Sequence, residues 1–148
     1  MPIVHKYELP PCLEGIMSVS KYDKLLNGKA DTLRKRDLKL GRPFALKNSK
    51  ADYKAKIHAA FLVAGPKDPY TGDTLRYDLV GTRNTQEANG VVGVFDKEYF
   101  LKPVVDHSDP YSDELEFEIC SWIVNSSKTL LNPQEYVDLC RRIVTHAG

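Results

Sequence analysis

An acid, an imidazole, a carboxamide and an ammonium follow one another in VVDHSDPYSDELEFEICSWIVNSSK, the stretch from Val104 to Lys128. Asp106 and His107 are adjacent, Asn125 comes eighteen positions after the histidine, and Lys128 three positions later. Carboxylate and amide oxygens suit a hard divalent cation and leave positions for water and a phosphate. A neutral histidine beside such an ion is the side chain best suited to take a proton from an attacking water near neutral pH. Asp106 and Asn125 as cation ligands, His107 as base and Lys128 steadying a phosphate are the parts of metal-assisted phosphodiester hydrolysis.

The elements that must position these groups are legible around them. Val104 and Val105, with Phe100 and Leu101 upstream, predict a buried strand that ends on Asp106 and His107. Phe117, Ile119 and Ser121 alternate with Glu118, Cys120 and Trp122, which predicts a second strand. From Trp122 the spacing turns helical and carries Asn125 and Lys128 on one face.

The pair Asp106-His107, followed by an apolar strand with a Cys and then by Asn125-x-x-Lys128, resembles the HNH endonucleases of the ββα-metal superfamily. The upstream Asp68–Leu75, DPYTGDTL, is similar to the hairpin that precedes the Asp-His strand in that family. The resemblance covers roughly residues 68–146. It implies an α+β fold with a ββα-metal core, His107 as general base, Asp106 and Asn125 as ligands of Mg²⁺ or another divalent cation such as Mn²⁺, and DNA as substrate. Cys12, Cys120 and Cys140 are isolated, so no structural zinc is expected. The family's middle Asn has no counterpart; Glu116 falls near its place. A catalytically inactive DNA-binding module of the same fold therefore stays open beside the endonuclease.

The rest of the chain bounds these expectations. Its 148 residues, 42% hydrophobic, suffice for one modest core. No apolar run approaches a transmembrane span, the N-terminal stretch lacks the form of a secretory signal, and three unpaired cysteines fit a reducing compartment, so a cytoplasmic protein without membrane contact is expected. The net charge of +1 hides a split: residues 1–67 hold 14 Lys and Arg against 6 Asp and Glu, residues 68–148 hold 7 against 14. Two units follow: a basic, mainly helical region at 1–66, which would contact DNA, and a core at 67–148. A small self-associating interaction protein, in which the halves attract, is the alternative of another class, and a homodimer fits it.

Within the first unit, Pro10 and Pro11 predict an extended lead-in, Ser18 or Ser20 a helix ending at Asn27-Gly28, and Asp31 the start of a second helix ending at Gly41. With Lys29, the cations Arg34, Lys35, Arg36, Lys39 and Arg42 are the densest in the chain and are candidates for tracking a phosphate backbone. A third helix is expected over 51–64, a strand over 75–80 and an exposed loop over 81–93. Asn132-Pro133-Gln134-Glu135 opens a last helix whose Tyr136, Val137, Cys140, Ile143 and Val144 are spaced to pack on the core.

Overall fold

A computed structural model of the chain describes residues 6–81 and 97–148. The architecture is α+β: helices α1 (Val19–Lys39), α2 (Pro43–Lys47), α3 (Lys50–Val63), α4 (Trp122–Lys128) and α5 (Pro133–Ala147) accompany one antiparallel pair of strands, β1 (Pro103–His107) and β2 (Phe117–Ser121). Among the described residues no helix is long and apolar enough to cross a membrane.

Ser18 opens α1 by accepting a hydrogen bond from the Lys21 amide, the usual satisfaction of a first-turn donor. The helix then runs through Gly28 instead of stopping there. Tyr22, Leu26, Ala30, Leu33 and Asp37 form one buried stripe with spacings of three and four, and burial of that stripe outweighs the ~1 kcal/mol that an interior glycine costs. The two helices expected on either side of Gly28 are thus one. The stop comes at Gly41, with φ +68, where the Arg42 amide bonds the Asp37 carbonyl and the Gly41 amide that of Leu38. Pro43 starts α2, and a reciprocal Ser49–Asp52 box starts α3, one residue ahead of the expected start at residue 51.

Tyr53, Ile57, Ala60 and Phe61 of α3 pack on α1 and on β2. Leu13, Val80, Leu115 and Ile119 complete the same buried cluster, which therefore draws side chains from both sides of residue 66. The lead-in at Pro11–Leu13 is a 3-10 turn. The strand expected over 75–80 does not form: Leu79 and Val80 amides bond the carbonyls of Arg76 and Tyr77, local bonds of a 3-10 turn that leave no ladder. Residues 82–93 of the expected loop lie outside the described residues.

β1 and β2 are in register from Pro103↔Ser121 to His107↔Phe117. Ser121 ends β2 and also caps α4 through its hydroxyl, so strand passes into helix without a connecting loop. The Asn132–Glu135 capping box opens α5 as expected. However, no residue of α5 is buried, so the expected packing of its apolar stripe on the core is not made. Ile143 and Val144 are 58% and 69% exposed.

Candidate functional site

Successive side chains of a strand point to opposite faces, and this separates the two residues expected to act together. On one face, His107 lies with Phe117 and Ile119 under the N-terminal helices. Its ring is 4.9 Å from that of Phe117 and 5.2 Å from that of Phe44, and only 5% of the residue is exposed. Its Nε2 is 3.0 Å from Oδ1 of Asp37, a fully buried carboxylate on α1. Asp37 also accepts hydrogen bonds from Tyr53 Oη at 2.8 Å and Arg42 Nη1 at 2.9 Å. Burial by itself would raise the Asp37 pKa. The hydrogen bond and charge of His107, then Tyr53 and Arg42, outweigh it and hold the carboxyl below its usual range. An ionised Asp37 only accepts, so Nε2 carries the proton that joins the two.

On the opposite face Asp106 stands beside its cross-strand neighbour Glu118, and Lys128 from α4 reaches between them. The Lys128 ammonium is fully buried. It donates to Asp106 Oδ2 at 2.8 Å and to the His107 carbonyl at 3.1 Å, and lies 3.5 Å from Glu118 Oε1. Two of its N–H groups thus meet oxygens in hydrogen bonds, and Glu118 completes the site as an ion pair. Glu118 also accepts from Tyr70 Oη at 2.5 Å. Burial, together with the charge of Asp106, raises the Glu118 pKa despite the opposing effects of Tyr70 and Lys128. Burial likewise pushes the neighbouring Cys120 thiol well up, so this sulfur is not a ready thiolate.

Asp106, Glu118 and Cys120 place ligand atoms within 4.8 Å of one another, the spacing of a cation site. A divalent ion held by the two carboxylates would nevertheless have to displace the Lys128 ammonium, which already supplies positive charge there. The residues as arranged do not fit the ion, and Lys128 serves the carboxylates rather than facing outward to a phosphate. Asn125 is half-buried one turn before Lys128, and its side chain makes no hydrogen bond among the described residues. The fold therefore brings Asp106 to Lys128, sets His107 on the other face, and adds Glu118, Tyr70 and Asp37. Asp37 carried a signal in the sequence, a carboxylate four residues after Leu33 in the apolar stripe. Glu118 carried none until the register was known.

The turn that resembled the family's hairpin has a structural task. Asp68 is buried; its carboxylate accepts from the Tyr70 amide at 2.7 Å and from the Ser121 amide at 3.2 Å, locking the turn to the β2–α4 junction. Gly72, with φ +77, closes it.

The five candidate nucleic-acid contacts divide. Arg34 Nε donates to the Asn48 carbonyl at 3.0 Å and Arg42 holds Asp37, so both brace the fold. Lys35, Arg36 and Lys39 are exposed, with Lys35 paired to Asp31 at 3.0 Å. Because α1 is continuous, Lys21 and Lys24 join Lys35 and Lys39 within an arc of about 60° opposite the buried stripe, a ridge about 27 Å long. Lys29 and Arg36 flank it. Desolvation, then the like charges of Lys102 and Arg36, hold the Lys29 pKa below its ordinary value although the residue reaches solvent.

No protein-family model, no curated protein and no solved structure matches this chain.

Proposed function

We propose that this chain binds nucleic acid through the solvent face of α1, and that its hairpin and following helix, laid out in the strand–strand–helix order of the ββα-metal nucleases, serve as a charge-compensated scaffold in the arrangement described above. The observation that carries the binding is the ridge of Lys21, Lys24, Lys35 and Lys39, where positive charge extends over several phosphate spacings. What speaks against hydrolysis here is the Lys128 ammonium between Asp106 and Glu118, with the His107 ring on the far side of the strand.

Fluorescence anisotropy with a labelled duplex tests the binding. Four phosphates neutralised give a slope near −3.6 in log K against log salt, about 150-fold between roughly 50 and 200 mM. Reversal of Lys24, Lys35 and Lys39 to Glu is expected to remove most of that slope. Equal binding by wild type and the triple variant, or none by either at low salt, refutes the proposal and leaves a merely solvated helix face.

A second reading, metal-dependent cleavage of DNA, is favoured by the Asp37–His107 pair, in which the carboxylate orients the ring through Nε2, and by the two adjacent carboxylates. It requires Lys128 to withdraw and the cover of α1 and α2 over His107 to open. Supercoiled plasmid incubated with Mg²⁺ or Mn²⁺ separates the two: nicking by wild type that His107→Ala abolishes establishes the enzyme, whereas intact plasmid with both proteins supports the scaffold.

A further inference from the structure

The four lysines of the α1 ridge stand in two pairs. Lys21 and Lys24 lie at one end and Lys35 and Lys39 at the other, and the stretch between Lys24 and Lys35, about 16 Å along the axis, presents no cation on that arc. At its centre sit Gly28 and Thr32, both exposed, with Asp31 at the edge of the arc and paired to Lys35 at 3.0 Å. Among the described residues nothing requires a glycine at 28. A Cβ there would meet nothing within 4 Å, and its backbone is ordinary helix, open to any residue. Glycine weakens a helix, and what it offers in return is that another molecule can come up against the backbone.

Cations at both ends and a centre without them match a straight rod seated in a curved groove. The grooves of B-form DNA turn away from a straight helix, so the middle of the helix reaches base edges while its ends meet the phosphate walls. The major groove, about 12 Å wide, admits a helix about 10–12 Å across, and the fit is closest where the side chain is smallest. Thr32 and Asp31 are then the groups near the bases: a hydroxyl and methyl suited to base edges, and a carboxylate that accepts from a cytosine amino group but is repelled by phosphate. Other nucleic acids suit this face less. The major groove of A-form RNA is deep and narrow. A single strand is held by aromatic platforms, whereas the aromatic side chain of α1, Tyr22, is buried on the opposite side. On the reading of α1 as a nucleic-acid surface, we infer that its ligand is double-stranded DNA, entered through the major groove with Gly28 at the point of closest approach.

Anisotropy with the full chain separates this from a plain charged face. Gly28→Lys adds a cation to the ridge, so a plain charged face would bind duplex DNA more tightly. A seated helix is instead pushed out, and binding at least about tenfold weaker is expected, with an unchanged far-UV circular dichroism spectrum because the position is open. A duplex with bulky groups on C5 of its pyrimidines, which fill the major groove and leave the phosphates in place, is expected to bind wild type at least about tenfold more weakly than the plain duplex, and duplex RNA of the same sequence likewise. Tighter binding by Gly28→Lys, or equal affinity for the plain and groove-filled duplexes, overturns the major-groove inference while the ridge reading stands. Equal binding by wild type and the Lys24, Lys35 and Lys39 reversal removes the ridge reading and this inference together.

Discussion

Replacing Lys128 by Met tests the central arrangement, because it keeps the length and apolar stem of the side chain and removes only the ammonium. In the folded chain that ammonium is wholly buried, while Asp106 and Glu118 side chains are 12% and 23% exposed. At an effective dielectric of about 20, the contact at 2.8 Å corresponds to about 6 kcal/mol of gross attraction, and that at 3.5 Å to about 5. Desolvation of each ion offsets several kcal/mol of this, so the pair adds little net stability as a pair. Removing one partner is a different matter, because two adjacent carboxylates are left without compensation. The expected loss is about 3–5 kcal/mol, roughly 10 °C in melting temperature for a chain of this size.

The pH dependence of that variant carries the sharper signature. Burial and Asp106 already raise the Glu118 pKa, and loss of the ammonium raises it further. A carboxyl with a raised pKa in the folded state binds its proton more tightly there than when unfolded, so its effect on stability worsens as pH rises through the interval between the two pKa values. Lys128→Met is therefore expected to recover part of its loss on acidification from neutral pH towards the carboxylate range. It is also expected to gain stability from added Mg²⁺ or Mn²⁺, the two carboxylates then being free to take the ion. Differential scanning fluorimetry at several pH values, with and without metal, reads all three effects. A variant that melts within about 2 °C of wild type, with neither acid nor metal rescue, refutes the proposed charge compensation.

Asp37→Ala is expected to cost about 3–5 kcal/mol in urea unfolding at neutral pH, since it leaves Arg42, Tyr53 and His107 without their common acceptor. Because the Asp37 pKa is lowered on folding, the wild type loses this contribution as pH falls through the carboxylate range, and the variant lacks that part of the acid limb. Buried Cys120 is expected to alkylate far more slowly than half-exposed Cys140 in native chain, and at the same rate in denaturant, as mass spectrometry of timed iodoacetamide reactions would show. Equal native rates would place the thiol at the surface.

Local order was written plainly along the chain. The caps at Ser18 and Asn132, the stop at Gly41, the alternation from Phe117 to Ser121 and the turn at Asp68 each rest on neighbours within a few residues, which is the range over which hydrogen bonding and periodicity act. Gly28 and the segment 75–80 departed from local expectation, since a continuous buried stripe or a missing partner strand is a property of the packed molecule.

What only the tertiary structure decided is where charged side chains find their counterparts. Asp106 and His107 are neighbours in sequence, yet the pleat sends one to Lys128 and Glu118 and the other to Asp37, seventy residues earlier in the chain. Arg34 and Arg42, members of one basic run, became internal braces, while Lys21 and Lys24 joined the surface ridge. Composition and spacing determined which chemical groups were present and which elements carried them. Their partners were set by folding, because the strength of a charged contact depends on distance and on exclusion of water, and both are fixed only when distant segments pack.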